Sequence, residues 1–424
     1  MSSLYVFIWA TWVQQMFESQ NTVRELLISC PSVSPSFYGN DVLLVLSENA
    51  GIISLPVVDE GLPKGLINRS TYMDEISKPF RKELYAKKTC IEFIEPVSLI
   101  VSENMSIQDL SFKVAEEGST ALKSGFIITD EQGRYLGVGT GEAVMRKISE
   151  MQAEKNRIVM ESINYASVIQ TSFLRSSRED MRDCMQDYFI HWEPRDKVGG
   201  DYYFCKKFAD GFFLALIDCT GHGVPGAFMT LIMASFLDHI LLEDNRHDPA
   251  TALISMNQKV KTALGQISVA SNQKKDEWID IDSNDSDDGM DTAFCWIDLN
   301  AQQITFAGAK TPLLLINPAD KSTTIIEGDK KGVGYVDTPM DFKWTNKTVP
   351  LTEGLCVYIT TDGIIDQIGG PRNIAFGKQR TLNQLLAHVE KPMSQQCTLF
   401  LDTFYEYQGS QRRRDDVCFF GFRV

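Results

Sequence analysis

The sequence predicts an α+β chain of more than one domain, and three observations carry that expectation. Its 424 residues exceed what one hydrophobic core organises. The strand-like runs of the C-terminal half come in groups with helix-like stretches between them. A weak strand–turn–strand–helix repeat occupies the N-terminal part. These divide the chain into an α/β regulatory domain at 1–150, a helical linker at 151–184 and a strand-rich domain at 185–424.

Residues 1–13 hold an apolar run too short to span a bilayer and without the basic start of a signal peptide. A packing helix is the expected structure there, and a soluble, cytoplasmic protein the expected setting. The formal net charge of -15, with acids and bases mixed along the chain, argues against nucleic-acid and membrane-surface binding. Nine scattered cysteines without a Cys-x-x-Cys pair fit reduced thiols in the cytosol, not a disulfide framework or a zinc site.

The repeat is read from two stretches. Leu55-Pro56-Val57-Val58-Asp59-Glu60-Gly61 leads through Lys64-Gly65-Leu66-Ile67 into a helix-like stretch ending at Ser77. Phe126-Ile127-Ile128-Thr129-Asp130-Glu131 leads through Leu136-Gly137-Val138 into Met145-Arg146-Lys147-Ile148-Ser149. Over roughly residues 22–150 this order resembles the tandem CBS (Bateman) module, which implies two copies packed as one pseudo-symmetric regulatory unit with a nucleotide ligand. In the ligand run of that family, Gly-h-h-Thr-x-x-Asp, the ribose aspartate is replaced here by Thr71 and Ala143. A structural or dimerising module is the alternative.

Residues 142–182 read as one long helix. Met145, Ile148, Val159, Ile163, Ala166, Ile169 and Phe173 fall at three- and four-residue steps, which makes one side apolar. A helix lying on its own domain and a homodimer-forming connector both satisfy that stripe. Lys155 and Asn156 interrupt it, so any coiled coil is short.

From about residue 185, strands are predicted at 188–192, 202–205, 212–217, 292–297, 303–307, 312–316, 355–359 and 417–422, with a buried helix opening at Pro225. Four aspartates stand where such strands end or begin. They are Asp201 in Val198-Gly199-Gly200-Asp201-Tyr202, Asp218 in Asp218-Cys219-Thr220-Gly221-His222-Gly223, Asp362 in Thr361-Asp362-Gly363 and Asp415 in Arg414-Asp415-Asp416-Val417. An acid beside buried strands is costly unless a positive group offsets its desolvation. No basic residue recurs at a matching spacing, so the set points to a hard cation held by oxygen ligands. Singly, each is an ordinary turn or cap residue.

In this order the motifs resemble the SpoIIE/RsbU branch of the metal-dependent PPM protein phosphatases. The resemblance implies a two-sheet β-sandwich flanked by helices, with two ions, Mn2+ or Mg2+, at its edge. It implies that Asp218 bridges both ions and that the Cys219 carbonyl joins one of them. Asp201 would serve the ion on the Cys219 side, and Asp362 and Asp415 the other, with Asp416 the less favoured of its pair. It further implies hydrolysis of phosphoserine or phosphothreonine by metal-activated water. The partner implied is a phosphorylated regulatory protein, either a STAS anti-anti-sigma protein or a SiaC-like one.

Asp287-Asp288-Gly289-Met290-Asp291 looks like the Asp-Asp-Gly-x-Asp element of the SiaA-type subgroup, which would let Asp288 or Asp291 approach the metals or a substrate backbone, and the acidic stretch before it reads as a solvated loop. His222 lies four residues after Asp218, and a hydrogen bond holding its turn against the next helix is preferred over an acid role. Of the basic residues near the motifs, Lys310 and Arg414 are the two whose positions suggest substrate contact. Three functions remain in view. They are an active phosphatase gated through the 142–182 helix, a non-catalytic sensor or scaffold that sequesters its partner, and a hydrolase of small phosphoesters. The intact set of four acids favours the first.

Overall fold

The computed structural model describes residues 21–95, 99–116, 118–242, 245–266 and 287–424. The helix expected at 1–13, and the acidic loop up to residue 286, lie outside the described residues. Two compact units meet in the chain at Ile158 and Val159. That point falls inside a single 44-residue helix, Gly141–Cys184.

Both repeats form in the first unit as antiparallel hairpins, Ser54–Asp59 with Leu62–Asn68 and Phe126–Thr129 with Tyr135–Gly139. The register slips once in each, between Val57 and Val58 and between Ile128 and Thr129. Both hairpins therefore carry the same bulge and the local twist that goes with it. A parallel neighbour lies beside each: Val33 bridges Val57, and Ile100–Ser102 runs alongside Phe126–Thr129. Each copy has its own core, with Val42, Leu46, Leu55 and Val57 in one and Leu110, Val114, Phe126 and Ile128 in the other. Asn68 Nδ2 donates to Ser124 Oγ at 2.9 Å, and Ser124 donates onward to Glu95 Oε1 at 2.8 Å. This joins the copies through a buried polar chain.

The second unit stacks two five-stranded sheets whose strand pairs are all antiparallel. One sheet runs in space Lys347–Pro350, Gln303–Ala309, Met290–Asp298, Gly211–Cys219, Asp201–Lys207. The other runs Thr323–Ile326, Leu313–Ile316, Cys356–Thr360, Val417–Arg423, Asp187–Glu193. Gly211–Cys219 and Met290–Asp298 are buried almost throughout. That is why they read as unbroken apolar runs rather than as alternation. Gly223–Leu242 and Pro249–Ala263 share a core with the first sheet, through Met233, Leu237, Leu253 and Met256. Gly377–His388 and Met393–Gln408 cover the second, through Leu385, Phe400 and Phe404 against Tyr358 and Phe419.

By length and composition, Gly223–Leu241 is the one described helix apolar enough to cross a membrane. Its place in that core accounts for the composition. Thr323–Ile326 and Lys347–Pro350, which carried no expectation, are edge strands largely open to solvent. An edge needs neither a continuous nor an alternating apolar run, so the usual signal is missing.

Candidate metal centre

The four aspartates come together at one edge of the sandwich, and strand register explains how. Asp201 opens its strand directly opposite Asp218. On the other side of Asp218, its cross-strand partner is Asp291. From the second sheet, Asp362 opens the short helix Asp362–Ile365 after Cys356–Thr360, and Asp415 precedes Val417–Arg423. Thr361 ties the two sheets. Its Oγ1 donates to Asp201 Oδ2 at 2.7 Å and accepts from Cys418 N at 2.9 Å. Trp192 Nε1 adds a second tie, donating to Asp201 O at 2.9 Å.

These acids repel one another. Burial, and then the charge of Asp218, raises the Asp201 carboxyl well above the usual carboxylate range. Asp218 is raised likewise by burial, then by the charges of Asp362, Asp415 and Asp291. Burial followed by Asp415 pushes Asp362 up to about 6. Carboxylates that each strengthen their neighbours' hold on a proton will hold a divalent cation more strongly still. Among the described residues, no three acid, thiol or imidazole groups close on a single point at ligand spacing. The fit therefore rests on register, burial and electrostatic coupling, and on an all-oxygen donor set suited to Mn2+ or Mg2+. The Cys219 thiol is pushed up by burial and by the charges of Asp218 and Asp201, so it is kept as the thiol. Its carbonyl lies against Gly200.

Three supporting contacts had no signal in the sequence. Asp416, 2% exposed, accepts from Arg195 N through Oδ1 and from Gly200 N through Oδ2, each at 2.6 Å. It clamps the loop that delivers Asp201, whereas Asp415 Oδ1 accepts from Asp416 N at 2.9 Å. Gln170, buried on the long helix, donates to Gly199 O at 2.7 Å and to Thr230 Oγ1 at 3.0 Å. The third is a close approach at Gly363, where a Cβ would lie 1.9 Å from Asp416 O. Glycine in Thr361-Asp362-Gly363 is thus a spacing requirement. Gly363→Ala is expected to cost about 1–3 kcal/mol of stability through forced backbone displacement, and to weaken Mn2+ binding with it. Urea unfolding and a metal titration on the same variant would show whether the two losses travel together.

His222 Nδ1 lies 3.2 Å from Asp196 Oδ2, with both side chains about half exposed. That contact ties its turn to the loop preceding Asp201 rather than to the next helix. The element at 287–291 acquires distinct jobs. Asp287 Oδ1 accepts from Val336 N at 2.7 Å, Asp288 Oδ1 accepts from Thr220 Oγ1 at 3.1 Å, and Asp291 joins the acidic edge. Arg178 donates to Tyr203 Oη at 2.5 Å, and Arg413 pairs with Glu193 at 3.0 Å. Both are structural. The Arg414 backbone is held by Gln367 and Arg195, and Lys310 sits beside Asp291.

A family model described as Stage II sporulation protein E (SpoIIE) matches residues 209–424, a span that contains Asp218, Asp362 and Asp415 and begins after Asp201. The SiaA PP2C domain of Pseudomonas aeruginosa is 32% identical, covering 64% of this chain and 99% of that one, with a TM-score of 0.55. The RsbU and RsbW domains of a Mycobacterium tuberculosis protein match at 17% identity, over 57% of this chain and 61% of theirs, with a TM-score of 0.44. The SpoIIE phosphatase domain of Bacillus subtilis, with a fragment of its regulatory domain, matches at 17% identity, over 56% and 62%, with a TM-score of 0.41. No curated protein matches the chain. The CBS resemblance of the N-terminal unit gains no support from these comparisons. The matched span and the likeness to the SiaA domain show that the chain belongs to the SpoIIE family of PP2C-type phosphatases.

Proposed function

We propose that the chain is a cytoplasmic, metal-dependent phosphatase that removes phosphate from serine or threonine of a bacterial regulatory switch protein, STAS-type or SiaC-like. The observation that carries this reading is the convergence of Asp201, Asp218, Asp362 and Asp415 from both sheets at one edge, in a family whose PP2C members depend on metal. Asp201, Asp218, Asp362 and Asp415, with the Cys219 carbonyl, would hold the ions. Two divalent ions bound there, Mn2+ or Mg2+, would ionise a water and neutralise charge on the phosphoryl oxygens. The protein's part is to hold the acids in place. Thr361 orients Asp201, Asp416 fixes the loop before it, and burial keeps bulk water from Asp201. The buried cysteine after Asp218 stays protonated, so no side chain competes as a nucleophile there.

The N-terminal unit would regulate this activity, whether or not it takes a nucleotide, with Gly141–Cys184 as the connection. Met145, Ile148, Val159 and Phe173 stand exposed on one side of that helix, which supports a homodimer contact. Gln170 supplies a physical route, since it grips the backbone two residues before Asp201. Gln170→Ala is expected to lower Mn2+ affinity about 10- to 100-fold, as removal of an outer-shell support does, while leaving the unfolding cooperative. Unaltered Mn2+ affinity would remove the helix from the regulatory reading.

The deciding experiment measures phosphate release from a phosphorylated STAS or SiaC-like protein by the full chain. Release that requires Mn2+ and is lost in Asp218→Asn supports the proposal. Binding of the phosphorylated partner without release, at any metal concentration, would favour the sequestering scaffold instead.

A further inference from the structure

Lys310 sits where Gln303–Ala309 leaves the sheet, in left-handed backbone with φ of +61°. That conformation is unfavourable for a non-glycine residue and persists where the surroundings enforce it. Here Lys310 N donates to Asp329 O at 2.8 Å, and the residue bridges Thr292 in parallel register. Its Nζ lies 3.0 Å from Asp291 Oδ1 and 4.2 Å from the centre of the Tyr335 ring.

Tyr335 is itself fixed. Its ring occupies the space over Gly289 and Gly332, where a Cβ would stand 2.8 Å and 2.3 Å from ring atoms. Its carbonyl accepts from Lys261 Nζ at 2.6 Å. The run Asp287-Asp288-Gly289-Met290-Asp291 thus supplies both the glycine that admits the ring and the acid that holds the amine.

An exposed ion pair alone adds little stability, and so does not account for a strained backbone, a ring slot and a buried lysine brace. Position does account for them. Asp291 is the cross-strand partner of Asp218, so Lys310 stands beside the acidic edge. Its side chain remains 42% exposed. Asp291 and the ring occupy part of the ammonium, which has three N–H donors, and the exposed part has donors to offer. A phosphate dianion approaching a row of carboxylates is repelled. A fixed ammonium beside that row supplies attraction and orientation.

We infer that Lys310 binds the phosphoryl oxygens of the substrate beside the metal edge, and that Asp291 and Tyr335 act as positioning residues for its amine. The inference rests on the phosphatase reading and gives that site its anion-binding group. Its test uses the Mn2+-loaded full chain, with inorganic phosphate binding followed by calorimetry and para-nitrophenyl phosphate hydrolysis followed kinetically. Lys310→Gln is expected to weaken phosphate binding and raise KM by about 10- to 100-fold, the scale of a charge-assisted hydrogen bond. Mn2+ affinity stays at the wild-type level, and Lys310→Arg recovers part of the loss. Unchanged phosphate affinity in Lys310→Gln overturns the assignment. So does a parallel fall in Mn2+ affinity, because Lys310 would then act through the ion site. Lys310-dependent phosphate binding by a wild-type protein that hydrolyses nothing supports the assignment and defeats the phosphatase reading.

Discussion

Asp218→Asn is expected to abolish phosphate release and, in metal-free protein, to raise the unfolding temperature. Activity falls because the acid placed between Asp201 and Asp291 is lost from the proposed ion site. A drop of roughly 1000-fold, about 4 kcal/mol on the barrier, is the scale expected. Stability moves the other way because Asp218 is held among charges of its own sign.

The direction with pH follows from linkage. A carboxyl raised in the folded state binds its proton more tightly than in the unfolded chain, so its contribution declines as pH rises through that interval. For Asp362 the interval runs from about 4, the unfolded value, to about 6. Metal-free wild type should therefore be more stable at pH 5 than at pH 7 with respect to these acids. At pH 7 the metal-free variant should unfold at a higher temperature than wild type. Saturating Mn2+ reverses the ranking, since wild type alone gains binding energy. Paired thermal scans with and without Mn2+ suffice. A metal-free variant less stable than wild type at pH 7 would mean that the edge is not a repulsive cluster.

Asp416→Ala is expected to be the most damaging change at a position that is not a proposed ligand. The carboxylate is buried, and both its oxygens accept from backbone N–H groups at 2.6 Å. Burial raises its carboxyl, and the donors at Arg195 and Gly200 pull it back down. Truncation to alanine strips two donors of a charged acceptor and leaves the Gly200 N–H buried. About 3 kcal/mol is the expected loss, from unmade hydrogen bonds to a charged group. Freed of its clamp, the loop would present Asp201 less well, with Mn2+ affinity down about 10- to 100-fold. Asp416→Asn, which retains one acceptor oxygen, should fall between alanine and wild type. Urea denaturation and Mn2+ titration together separate the two effects. Wild-type Mn2+ affinity in a folded alanine variant would reduce Asp416 to a purely structural residue.

Much of this edge was legible in the sequence because its markers are local. Asp201, Asp218, Asp362 and Asp415 each abut an apolar run that can only be a buried strand, and the repeat at 55–77 and 126–149 shows in its turn residues. What stayed hidden is what distance in the chain hides. Thr361 reaches Asp201 across 160 residues, Asp416 reaches Gly200 across 216, and Gln170 reaches Gly199 across 29. A polar residue in a helix or turn carries no mark of which distant backbone group it will meet. The sequence left open whether Asp288 or Asp291 approaches the metals or a substrate backbone, because that depends on register with Asp218 and on the backbone twist at Lys310. The edge strands escaped for the opposite reason, since solvent leaves them free of patterning.

The place of Val417–Arg423, central in its sheet between Cys356–Thr360 and Asp187–Glu193, has a consequence for biosynthesis. The hairpin that pairs Asp201 with Asp218 is local and can form early on the ribosome. Its companion sheet stays split until the strand following Asp415 has been synthesised and inserted. A nascent chain without that strand therefore holds Asp201, Asp218 and Asp362 but lacks the sheet that brings Asp362 and Asp415 to the edge, so the proposed ion site is completed only at the end of synthesis.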